Sequence, residues 1–83
     1  MEIYVICVVT SEGRHVHAVD HNPKQAEEKA VAAARKLARE YNATYRVEHF
    51  CVPLSGGPDI VRVYHVRKAG VFVADVEICD IWE

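Results

Sequence analysis

Apolar and polar residues change rhythm along this chain, and each rhythm predicts a different element. Glu2 to Thr10 (EIYVICVVT) is a near-continuous β-branched run, the pattern of a strand covered on both faces rather than of an edge. Ser11-Glu12-Gly13 supplies turn chemistry, and Arg14 to Asp20 then alternates, so the first twenty residues predict a hairpin. From Pro23 the period lengthens. Ala26, Ala30, Ala33, Ala34, Leu37, Ala38 and Tyr41 recur at helical spacing, with charged residues mostly elsewhere on the wheel.

The helix has clear ends. Asn22 can cap it through its side-chain oxygen, Pro23 suits the first helical position, and Gln25 can complete a capping box. Asn42, just past Tyr41, can take the left-handed conformation that stops it. Thr44 to Val52 and Ile60 to Arg67 alternate as strands on either side of the Pro53 to Asp59 connection. Lys68-Ala69-Gly70 reads as a tight turn and Val71 to Trp82 as a long last strand. The expectation is one α+β domain over residues 1–83, a single helix packed on an antiparallel sheet of about five strands in the order ββαβββ.

A helix of about 19 residues is roughly 28 Å long and can cover one face of such a sheet, not two. The uncovered face is therefore where function is expected. Period-2 alternation puts Phe72, Ala74, Val76 and Ile78 under the helix and Val71, Val73, Asp75, Glu77 and Cys79 opposite. In the fourth strand the apolar Val61 and Val63 are assigned to the core, leaving Arg62, Tyr64 and Val66 outside. The second strand divides into Val16 and Ala18 against His15, His17 and Val19, whereas alternation does not decide which set of the third strand lies inside. The first strand is apolar on both faces. This predicts a helix-free face bearing Tyr64, Arg62, His15, His17 and Val19 that meets another protein, either a different chain or a second copy in a homodimer. The alternative is that long side chains such as Arg62 and Tyr64 simply cover small apolar neighbours.

Composition narrows the partners. The chain is 51% hydrophobic and 27% charged, with 10 Lys and Arg against 12 Asp and Glu, so it should fold, and its net charge of −2 draws it to neither nucleic acid nor anionic membrane. Ile3 to Val9, the longest apolar stretch, is too short to cross a bilayer. Cys7, Cys51 and Cys79 are odd in number, widely spaced and set in apolar strands, which reads as reduced core thiols and predicts a cytoplasmic protein.

Candidate chemistry is sparse. His15, His17 and His21 form an HxHxxxH cluster; the first two share a strand face about 7 Å apart, and Asp20 or Glu12 could join them in holding zinc. Strand histidine pairs are common without metal, and the spacing assigns none. His49 and Cys51 with Asp75 or Asp80 sketch a nucleophilic site, but the apolar setting of Cys51 does not activate a thiol. Ser55-Gly56-Gly57 lacks the lysine and following helix of a phosphate cradle and reads as a flexible connection in which Ser55 and Asp59 are available to a partner. Trp82 either closes the core or stands at a sheet edge as an anchor. No enzyme and no cofactor are expected.

The segment AVDHNPKQAEEKAVAAARKLA, entered by the V-x-A-x-D strand end Val16 to Asp20, resembles a recurrent pattern in small phage-encoded proteins, including some anti-CRISPR inhibitors of type I systems. The resemblance spans roughly residues 14 to 40 and is architectural. It implies a small inhibitor or accessory protein, and because the chain is not strongly acidic, one that works by steric occlusion rather than by mimicking nucleic acid. A homo-oligomeric small-ligand or metal binder is the second expectation.

Overall fold

A computed structural model describes residues 2–49 and 59–82, with Asp59 and Trp82 placed by backbone alone. Its elements are β1 (Glu2–Thr10), β2 (Gly13–Asp20), α1 (Pro23–Glu40), β3 (Thr44–His49), β4 (Asp59–Lys68) and β5 (Val71–Trp82). All neighbouring strands are antiparallel, in the order β2-β1-β5-β4-β3, so the last strand of the chain occupies the centre of the sheet. The α+β class and the ββαβββ order are as the sequence predicts.

The helix start is built from side chains. Asn22 accepts the backbone N–H groups of Lys24 at 2.9 Å and Gln25 at 3.1 Å, satisfying donors that have no partner inside the helix. The N–H of Asn22 itself donates to Asp20 Oδ1 at 2.8 Å, the role a capping box would have given to Gln25. That hydrogen bond, together with the Lys29 ammonium at 2.9 Å, holds the Asp20 carboxyl below its usual range. At the other end Asn42 adopts φ 52, as expected of a left-handed stop, and Ala43 N–H reaches back to Ala38 O at 2.7 Å. Ala69 and Gly70 both have positive φ, 49° and 79°, which gives the β4–β5 hairpin the turn geometry matching strand twist.

Helix and sheet fit by volume. Ala26, Ala30, Ala33 and Ala34 bring the helix axis close, and Ile6, Tyr64, Val66, Val76 and Ile78 rise from the sheet to fill the interface. Tyr64 is 3% exposed and Val66 is fully buried. These residues therefore lie under the helix, not on the opposite face where alternation put them. Arg62 is on the helix side too, with Nη1 2.8 Å from Glu27 Oε2 on α1. The reason is that β4 is an interior strand with apolar and charged residues on both faces, so hydrophobicity alone does not orient it. Its register does: Tyr64 pairs with Val76 and Val66 with Ala74. Val63, expected in the core under the helix, is buried on the other side, whereas Val61, at an irregularity between the Ile60 and Arg62 pairs, packs against the core as expected.

Irregularities correct two further expectations. Ile6 pairs with Ala18 and Cys7 with Val16, making His17 an extra residue in β2. Val16 thus turns away from the helix, while His15, paired with Val8, and His17, beside Val8 and Ala33, stand on the helix side. A second irregularity, at Val73, pairs Phe72 with Arg67, and Phe72 stands 42% exposed under the Arg67 guanidinium, 4.9 Å from its ring centroid, instead of inside the core. For β3 the pairing of Tyr45 with Val66 and Val47 with Tyr64 puts Tyr45, Val47 and His49 on the helix side and Arg46 and Glu48 opposite.

Candidate binding face

The helix-free face has two zones. Across β1 and β2 it is apolar: Ile3, Val5 and Val9 are half-buried, and Val16 and Val19, paired with Cys7 and Val5, are 67% and 49% exposed. Across β3, β4 and β5 it is polar. His65 sits with Nδ1 3.1 Å from Asp75 Oδ1 and Nε2 3.4 Å from Glu48 Oε1, and Arg67 Nη1 donates to the same Asp75 oxygen at 2.9 Å. Arg67 Nη1 also donates to the carbonyls of Val66 and Ala74, which fixes the guanidinium over β5. Between the zones Arg14 reaches across β1 from β2, placing Nη2 3.0 Å from Glu77 Oε1 on β5.

The centre of this face is closed. Cys7, Val63, Glu77 and Cys79 are each less than a tenth exposed. Burial, with the Cys7 thiol next in order, pushes the Cys79 thiol up to about 11. A thiol that ionises there is protonated at neutral pH and supplies no nucleophile. Both free cysteines of the described residues, Cys7 and Cys79, are expected to resist a thiol reagent at pH 8 in the native protein and to react on unfolding in urea; fast labelling of the native state would disprove their burial. The sign of the pH effect follows. With a folded-state pKa above that of an ordinary thiol near 9, Cys79 leaves stability intact below that pH and removes it as pH rises toward 11, because the unfolded chain gives up its proton first.

The sites expected from sequence do not assemble as sketched. Tyr64 and Arg62 belong to the helix–sheet layer, and His15 and His17 border the helix rather than the open face. His21 Nδ1 lies 3.2 Å from the Glu2 carbonyl oxygen, and among the described residues no three His, Cys, Asp or Glu side chains converge on a metal position. The Cys/His sketch also separates: Arg62 Nε donates to His49 Nδ1 at 3.2 Å on the helix side, whereas Asp75 faces the other way. Cys51 and Ser55 lie outside the described residues, and Asp59 and Trp82 are fixed only as the first residue of β4 and the last of β5.

The residues the sequence did not single out are Val16, Arg14, His65 and Arg67. A signal is there: Arg67 on β4, with His65 two residues before it, and Asp75 and Glu77 two apart on β5 bring a cation, a polar ring and two carboxylates to one face of adjacent strands. Among the described residues no helix is long and apolar enough to cross a membrane. Comparison with models of known protein families, with curated proteins and with solved structures gives no match.

Proposed function

We propose that this chain is a non-catalytic protein-binding module that covers part of its target with the helix-free sheet face, in the manner of a small phage-type inhibitor or accessory protein. The observation that carries this reading is the exposed apolar strip of Val16 and Val19, continuous with Ile3, Val5 and Val9 and bordered by charges already paired within the face. Paired charges leave less cost on desolvation than lone ones, so such a face can be dried by a partner. Its size is adequate, since a molecule of 38 × 23 × 23 Å has a broad side on the scale of the roughly 800 Å² per partner of a stable complex. A cytoplasmic setting fits the free thiols of Cys7 and Cys79.

The test is a comparison of wild-type protein with a Val16→Lys/Val19→Lys variant, both immobilised and exposed to lysate of the native cell, with bound proteins identified by mass spectrometry. Because both positions are exposed, the variant is expected to melt within about 0.5 kcal/mol of wild type. A stoichiometric partner held by wild type and lost with the two lysines supports the reading. A partner held equally by both moves the contact elsewhere, and no partner at all removes the proposal.

A further inference from the structure

Among the described residues the sheet has two unpaired edges, β2 and β3, and they are protected unequally. The β2 edge carries the irregularity at His17, a device that disrupts a ladder and discourages further pairing. The β3 edge has none. Thr44–His49 pairs with β4 through six consecutive residues without a shift, contains no proline, glycine or lysine, and leaves one row of backbone N–H and C=O groups without a strand partner among the described residues. Val47 on this strand is 41% exposed. Its two charges, Arg46 and Glu48, are opposite in sign, share the helix-free face and flank Val47. Arg46 makes no ion pair with any described residue, and the Glu48 side chain is about half exposed.

We propose that β3 is a self-pairing edge: it joins β3 of a second copy, antiparallel, with the two-fold axis at Val47. The register follows from charge. With the axis at Val47, Arg46 of each copy lies directly opposite Glu48 of the other, Val47 meets Val47, and Tyr45 meets His49. Moving the axis to Arg46 or Glu48 sets like charges face to face. Moving it between residues sets Val47 opposite an ionised side chain and turns the two helices to opposite sides of the sheet. Only the Val47 register forms two opposite-charge pairs. The product is a continuous ten-stranded sheet with both helices on one side and both helix-free faces coplanar on the other.

With the axis at Val47 five residues of each strand, 45–49, face one another, a small interface, so the dimer is expected to be concentration-dependent, and sedimentation velocity from about 10 μM to about 1 mM should show reversible dimerisation. Arg46→Glu makes the strand acidic at both positions and Glu48→Arg makes it basic at both. Each should weaken self-association by at least about tenfold, since two attractive pairs become repulsive. An equimolar mixture of the two variants should recover a heterodimer, and the Arg46→Glu/Glu48→Arg double variant should recover a homodimer. Val47→Lys should abolish pairing while leaving the melting curve close to wild type. A chain that stays monomeric to 1 mM overturns the proposal. So does a dimer indifferent to both charge reversals, or one lost on Val16→Lys and kept by Arg46→Glu, which would place the contact on the apolar face instead.

Discussion

Tyr64→Ala is expected to destabilise the protein by about 3–5 kcal/mol, the range for removing a large aromatic from a packed core. The ring is 3% exposed, meets Tyr45 edge-on at 6.2 Å between centroids and 61° between planes, and fills space that the alanine face of α1 leaves open. No neighbour can replace it, because Ala26, Ala30, Ala33 and Ala34 have no side chain to extend and the flanking Val66 and Val76 are already fully buried. For a domain of this size each kcal/mol lowers the melting temperature by about 4–8 °C, so a thermal melt should show the loss plainly. Arg62→Ala is the informative companion. It removes an ion pair with a half-exposed Glu27 at the layer's margin and should cost no more than about 1 kcal/mol. A Tyr64→Ala protein as stable as wild type would mean that the ring is not under the helix.

Ala30→Leu tests the same interface from the other side. Ala30 is fully buried against the sheet, and the added atoms have no cavity to enter, so the helix must lift or Tyr64 and Val76 must leave their rotamers, at about 1–3 kcal/mol. Ala32→Leu, on the exposed side of the same helix, should change stability by less than about 0.5 kcal/mol. Chemical denaturation of the pair separates packing from helix propensity, since both substitutions introduce the same residue into the same helix. Equal effects would contradict the close approach of helix and sheet.

Whether a residue's face is legible in the sequence depends on how one-sided its environment is. Elements with a one-sided environment were legible: α1 shows its alanine stripe, and Asn22-Pro23 and Asn42 mark its ends by chemistry that no tertiary contact needs to supply. The β5 alternation also told which of Ala74, Val76 and Ile78 face inward. Interior strands were harder. β4 carries apolar residues on both faces, so Val63 looks as fit for the core as Tyr64 and Val66 and only pairing with β5 distinguishes them, whereas Val61 does pack against the core. Single-residue irregularities at His17 and Val73 then invert faces with no trace in local hydrophobicity, so alternation puts His15, His17 and Phe72 on the sides opposite to those they occupy. The exposed Val16 and Val19, and the His65, Arg67, Asp75 and Glu48 cluster, depend on that same register.

The central position of β5 also governs the order in which the molecule can be made. The β1–β2 and β3–β4 pairs share no ladder; within the sheet of described strands each is joined to the other through residues 71–82, and α1 lies across both. A nascent chain on the ribosome therefore carries two half-sheets whose inner edges stay open until the last strand emerges, and the helix has no complete floor to dock on before then. Closure of the sheet therefore depends on β5, the one strand whose ladders with β1 and β4 join both halves.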